Sequence, residues 1–158
     1  MDEERVFYIT KDGLKKIKKE YETLIELRRF KNKRDVPEIW ESEELNPEYI
    51  SFLEDLNLLD ARITELENIL KNCVLIKSPR AKKEKKIVKI GAKVKVEIDG
   101  RVEDEFIIVG SAEANPSLGK ISNESPVGKA LLGRRVGEKV VVSSPIRTTY
   151  KIKRIKYS

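Results

Sequence analysis

The sequence contains no histidine and a single cysteine, Cys73. The first absence removes the commonest general base and metal ligand, and so weighs against most hydrolase chemistry. The second excludes an intramolecular disulfide and fits a reducing, cytoplasmic setting. Aromatic residues make up only 6% of the chain, so little of any core can rest on large rings. No apolar run approaches the roughly 20 residues that span a bilayer. The opening Met-Asp-Glu-Glu-Arg is not the pattern of a secretory signal, and no membrane role is expected.

Charge is what the chain has in plenty. Asp, Glu, Lys and Arg form 38% of its 158 residues, and the formal net charge is +6. That length suits one ordinary domain or two small ones. The basic balance points to an anionic partner: nucleic acid, a machine that handles nucleic acid, or an acidic protein.

Helical periodicity dominates the first half. After the short apolar lead-in Val6–Ile9, Thr10 stands as a helix N-cap, with Ile9 and Leu14 placed as a hydrophobic staple. The acid that would complete a capping box is missing, because Gly13 occupies its place. Apolar residues then recur at Leu14, Ile17, Tyr21 and Leu24, and Leu27 and Phe30 continue that face on a shifted line. A second stripe, Tyr49, Phe52, Leu56, Leu59, Ile63, Leu66, Leu70 and Cys73, keeps an unbroken heptad spacing. Two such helices joined by a short connection should fold back as an antiparallel coiled-coil hairpin. A second helix of roughly 25 residues would be about 40 Å long.

The connection is the acidic part of a basic chain. Trp40–Tyr49 carries Glu41, Glu43, Glu44 and Glu48. Asp35-Val36-Pro37 ends the first helical pattern, since the residue before proline is pushed out of the α region. Asn46-Pro47-Glu48 starts the second, with a capping side chain, a proline at the first position and an acid in the first turn. The acids therefore sit at the turn, near residues 38–46. On the first helix, the run Arg28, Arg29, Lys31, Lys33 and Arg34 is either a solvated face or a patch for nucleic-acid phosphate.

Residues 78–86 are charged and poor in apolar side chains, and read as a linker between an N-terminal hairpin at 1–77 and a C-terminal domain at 87–158. Beyond the linker the period becomes two. Val94, Val96 and Ile98 alternate with charged residues, Asp99-Gly100 signals a type I′ hairpin, and Val102–Gly110 is the return strand. Ser125-Pro126 opens a short helix over Val127–Leu132, ended by Gly133. Val140–Ser143 and Tyr150–Ile155 close the set. The fold class is α+β: a helical hairpin, then a small, mostly antiparallel sheet domain with one short helix.

Three stretches in order carry a resemblance to a known family. Tyr-Ile-Thr-Lys-Asp-Gly-Leu-Lys-Lys-Ile at 8–17, Asn-Pro-Glu-Tyr at 46–49, and Ile-Ser-Asn-Glu-Ser-Pro-Val-Gly-Lys-Ala-Leu-Leu-Gly at 121–133 followed by Val-Gly-Glu-Lys-Val at 136–140 are similar to the Gre transcript cleavage factors of bacterial RNA polymerase. The resemblance implies a coiled-coil finger and an FKBP-like C-terminal domain. It implies docking at the rim of the polymerase secondary channel, with the finger's acidic tip meeting the nascent RNA 3′ end of a backtracked complex. There the tip helps to hold a magnesium ion shared with the polymerase, which cleaves its own RNA; the factor is no nuclease and has no cofactor of its own. Free, it is expected to be a cytoplasmic monomer.

The resemblance also assigns residues. The family's tip pairs an Asp with a Glu three residues later, directly before the Asn of the second helix. Anchored on Asn46, those places hold Ser42 and Leu45, while Glu41 and Glu44 keep the spacing one residue earlier. Glu41 and Glu44, with Glu43 as a substitute, are thus the expected metal-recruiting acids, and carboxylate oxygens are what magnesium prefers. Their bland reading is solubility of an exposed turn. Asn123, Glu124, Ser125 and Pro126 occupy the family's polymerase-docking position. The displaced acids leave open a channel-binding regulator that inhibits polymerase without stimulating cleavage. An FKBP-like fold does not by itself imply prolyl isomerase activity, and Phe106, Tyr150 and Tyr157 are too few aromatics to line a proline pocket. Non-specific nucleic-acid binding by a basic coiled coil is the remaining reading.

Overall fold

A computed structural model describes residues 4–34, 37, 46–143 and 145–157, with Arg34 described by its backbone alone. Packing divides the chain into two units. Leu14–Asn72 forms one, and the remaining described residues form the other. Residues 4–13 and 73–77 thus pack in the unit that contains the sheet.

The hairpin unit consists of α1 (Lys11–Arg34) and α2 (Pro47–Lys71). The start of α2 follows the sequence rule. Asn46 is buried, its Oδ1 accepts from the Glu48 N–H at 3.0 Å, and Pro47 takes the first helical position. Side chains cross between the helices in antiparallel order. Arg62 grips Glu20 with two hydrogen bonds, at 2.8 and 3.1 Å, and Tyr21 donates to Glu67 at 3.0 Å. Farther along, Arg28 lies 2.9 Å from Asp60, and Lys31 lies 3.3 Å from Asp55. The buried stripe is Ile17 on α1 with Leu59, Ile63, Leu66 and Ile69 on α2.

Leu27 and Phe30 do not extend the buried face; they are 41% and 49% exposed. Cys73 is not the last knob of the helical seam, because α2 stops at Lys71, Asn72 caps it, and Cys73 begins a strand. At that end Ile69 is buried and Leu70 only half-buried.

Strand β1 (Phe7–Ile9) pairs in parallel with β2 (Cys73–Leu75), Phe7 opposite Cys73. The apolar lead-in is therefore a strand, with Phe7 and Ile9 buried and Tyr8 outward. Thr10 caps α1, its Oγ1 accepting from the Gly13 N–H at 3.0 Å. The acid absent from the capping box is supplied by Glu113. Its carboxylate accepts from the Thr10 N–H at 2.7 Å and from the Thr10 hydroxyl at 2.5 Å. A Cβ on Gly13 would lie 2.0 Å from Glu113 Oε1, so only glycine leaves room for the borrowed acid.

The main sheet contains β3 (Lys93–Ile98), β4 (Val102–Val109), β5 (Lys120–Ser122), β6 (Lys139–Ser143) and β7 (Arg147–Lys156). Its order is β5-β4-β3-β7-β6. All neighbours are antiparallel except β4 and β5. Asp99 and Gly100 both take positive φ, 51° and 68°, as a type I′ turn requires. Asp99 is further pinned by a hydrogen bond from the Thr149 N–H at 2.8 Å. Alternation places Val94, Val96, Ile108, Val140 and Ile152 in one core with Val88, Ala92 and Leu131 of the short helix α3 (Pro126–Leu131). On the other face, charged side chains pair across strands: Lys93 with Glu105 at 2.8 Å, Lys95 with Glu103 at 2.7 Å, and Lys153 with Glu97 at 3.0 Å. The lysine partners hold the Glu103 and Glu105 carboxyls below the usual carboxylate range.

The stretch 78–86 is more ordered than its composition suggests. It folds into a 3-10 turn at Glu84–Lys86, and Ile87 then bridges to Arg135 in antiparallel fashion.

Candidate functional site

The connection between β5 and α3 brings together the four residues expected to dock. Ser125 is tied down at both lone pair and proton. Its Oγ accepts from the Gly128 N–H at 3.1 Å and donates to the Ser122 carbonyl at 2.7 Å. Asn123 donates its N–H to Val109 O at 2.8 Å, which anchors the loop to β4. Glu124 reaches Arg5 at 2.6 Å, and the Arg5 guanidinium also sits 5.2 Å from the Phe7 ring centroid. Pro126 takes the first position of α3 and is exposed. Gly128 is needed for close approach rather than unusual φ, because a Cβ there would meet Ser122 O at 2.0 Å. The result is a rigid projection with two exposed side chains, Glu124 and Pro126, on a hydrogen-bonded base.

The basic run on α1 divides in two. Arg28 and Lys31 are engaged by Asp60 and Asp55 of α2. Arg29 and Lys33 are exposed, and among the described residues neither enters an ion pair. The side chain of Arg34 lies outside the described residues, as do Glu41, Glu43 and Glu44. What is described of the acidic turn is its boundary, Arg34 at the end of α1 and Asn46 capping α2. Among the described residues, no group of three or more Asp, Glu, Cys or His could hold a metal ion. No described helix is long and apolar enough to cross a membrane.

Comparison with known proteins matches two family descriptions in tandem. Residues 7–75 match "Transcription elongation factor, N-terminal", and residues 69–157 match "Transcription elongation factor, GreA/GreB, C-term". The chain belongs to the GreA/GreB family. Relatives named transcription elongation factor GreA include that of Thermomicrobium roseum, 42% identical over 87% of this chain and 88% of that protein. The GreA of Shouchella clausii is 38% identical over 92% of both chains, and that of Clostridium acetobutylicum is 39% identical over 92% of both. Among solved structures, GreA factor homolog 1 of Thermus thermophilus is 26% identical, with 96% of this chain and 99% of that chain covered, at a TM-score of 0.41.

Within this GreA/GreB frame, sequence reasoning missed Glu113 and Arg5. Arg5 left no signal, being an isolated cation in an unpatterned lead-in. Glu113 left one. A glycine where a capping box wants an acid is either a weak cap or a space kept for a carboxylate from elsewhere.

Proposed function

We propose that this chain is a bacterial transcription elongation factor that binds RNA polymerase at its secondary channel and stimulates the polymerase's own cleavage of backtracked RNA. The observation that carries the reading is the tandem match of both family halves across 7–157, combined with an antiparallel hairpin whose connecting turn is rich in glutamate. Asn123, Glu124, Ser125 and Pro126 form the docking projection. Glu41 and Glu44, with Glu43 as a substitute, offer hard oxygen donors of the kind magnesium takes. Glu41 and Glu44 would share such an ion with the polymerase, and it would supply the charge that orients and activates water for phosphodiester cleavage. The factor works in the cytoplasm, contributes donors and reach, and leaves catalysis to the polymerase.

The test is RNA shortening in stalled complexes of the cognate polymerase. Wild type should shorten the transcript, and Glu41→Ala with Glu44→Ala should abolish shortening while still competing with wild type for polymerase. If wild type occupies the polymerase without shortening RNA, the protein is instead an inhibitory channel regulator, the outcome that Ser42 and Leu45 at the family's acid positions would explain.

A further inference from the structure

Away from the docking projection, two basic segments distant in sequence meet. Lys83 and Lys86 stand at i and i+3 of the 3-10 turn before β3, where a repeat of three residues per turn stacks side chains on one side. Arg135 comes from the loop between α3 and β6. These three cations and Val136 line a cavity of about 550 Å³. The juxtaposition is built by backbone. Val88 N–H donates to Arg134 O, and Gly133 N–H returns a bond to Val88 O, both at 2.8 Å.

Nearby acids are turned to other work. Glu138 accepts from the Arg135 backbone N–H and lies 4.0 Å from the Arg134 guanidinium. Glu84 lies 3.7 Å from Lys89. Among the described residues no carboxylate lines the cavity, and none of Lys83, Lys86 and Arg135 enters an ion pair. Like charges gathered in one concavity repel each other and concentrate a positive potential, and a multivalent anion relieves that repulsion. Arginine gives a planar fork for phosphoryl oxygens, and lysines add point charges. The volume falls within the range, about 300–1,000 Å³, of small-ligand sites.

We propose that Lys83, Lys86 and Arg135 form a phosphate-binding site for a ligand carrying two or more phosphoryl groups, with Val136 as its apolar wall. The phosphates come either from a free nucleotide or from the backbone of a nucleic-acid strand. The site is built from residues of the sheet-bearing unit, uses none of those in the 123–126 loop, and does not depend on the cleavage reading.

Calorimetric titration of the full chain at low salt, without magnesium, with pyrophosphate, a nucleoside triphosphate and a short single-stranded RNA tests it. Amide shifts at 83–86 and 133–136 locate the binding. Lys83→Ala/Lys86→Ala/Arg135→Ala should weaken binding by about tenfold or more, as expected for lost charge-assisted hydrogen bonds. Lys15→Ala/Lys18→Ala/Lys19→Ala, which removes equal charge from exposed positions on α1, should leave binding near wild type. Thermal melting confirms that both variants fold. Binding of pyrophosphate and triphosphate identifies a free-nucleotide site, and binding of RNA alone identifies a strand-backbone site. No binding by any of the three, or equal loss in both variants, overturns the proposal.

Discussion

Glu113 completes the capping box that Thr10 opens, from 103 positions away in the sequence. A device normally local to a helix start has become a long-range tether in which one carboxylate satisfies two donors of residue 10. Glu113→Ala should cost about 1–3 kcal/mol, the range for losing a cap and a charge-assisted pair. Urea denaturation reads it. Gly13→Ala gives the sharper test. In the wild-type background its Cβ displaces the Glu113 carboxylate and destabilises. In the Glu113→Ala background that obstacle is gone, and alanine should stabilise by up to about 1 kcal/mol through helix propensity. The same substitution thus changes sign.

The basic run on α1 should separate into stabilising and interacting residues. Arg28→Ala and Lys31→Ala break interhelical pairs with Asp60 and Asp55, and each should cost about 0.2–1 kcal/mol. Arg29→Ala with Lys33→Ala should leave the denaturation midpoint unchanged. If that exposed pair meets RNA phosphate, the double variant lowers cleavage stimulation more at low salt than at high salt, because salt screens the contact that wild type makes. Equal activity at every salt concentration would assign Arg29 and Lys33 to solvation alone.

Gly128 should prove more important than the polar residues around it. Gly128→Ala drives a Cβ against the Ser122 carbonyl, and overpacking of this kind costs about 1–3 kcal/mol. Ser125→Ala removes the cap of α3 for about 1 kcal/mol. Both should weaken polymerase binding, Gly128→Ala the more. Pro126→Ala leaves the base of the projection intact, so any affinity it loses reports direct contact.

Alkaline pH should loosen the end of β7. Tyr157 donates its hydroxyl to the Ile87 carbonyl and accepts from the Lys89 N–H. Burial raises its pKa above the ordinary phenol value, while the Lys89 hydrogen bond opposes that shift. Tyr150 is also raised, by burial first and then by the nearby Asp99 and Asp104 charges. A raised folded-state pKa means that the stabilisation is complete below the unfolded value, near 10, and is lost as pH rises through the folded one. Stability measured from pH 8 to 11.5 should therefore fall at the alkaline end. Tyr157→Phe should be less stable at pH 8 and show a shallower decline. An unchanged slope would mean that Tyr157 has no part in it.

Most of the helical hairpin could be read from spacing because local rules and packing agree there. Asn46-Pro47-Glu48 is a complete start signal, and Leu59, Ile63 and Leu66 are buried as their repeat requires. The sheet was legible for similar reasons: Val94 and Val96 alternate inward, and Asp99-Gly100 supplies the left-handed pair its turn demands. Failures came where distant segments meet. Cys73 continues a heptad by spacing, yet the pairing offered by Phe7 draws it into a strand. Within the stretch that composition marks as a linker, Glu84–Lys86 form a 3-10 turn, and Ile87 and Val88 just beyond it meet Arg135 and Arg134. Of the candidate site, Ser125-Pro126 was readable as a cap. The engagement of Glu124 by Arg5 was not, because no pattern links an isolated arginine to a loop so far along the chain.

The parallel pairing of Phe7–Ile9 with Cys73–Leu75 means that the polypeptide departs for the hairpin and comes back within the length of a single three-residue strand. Between those strands, Leu14–Asn72 packs as a unit of its own. Its two arms can be lengthened or shortened by matched whole heptads without disturbing the anchorage, whereas a change to one arm alone shifts every crossing pair from Glu20–Arg62 to Lys31–Asp55. The length of the two helices and the pairing of Phe7–Ile9 with Cys73–Leu75 can therefore be altered as independent variables.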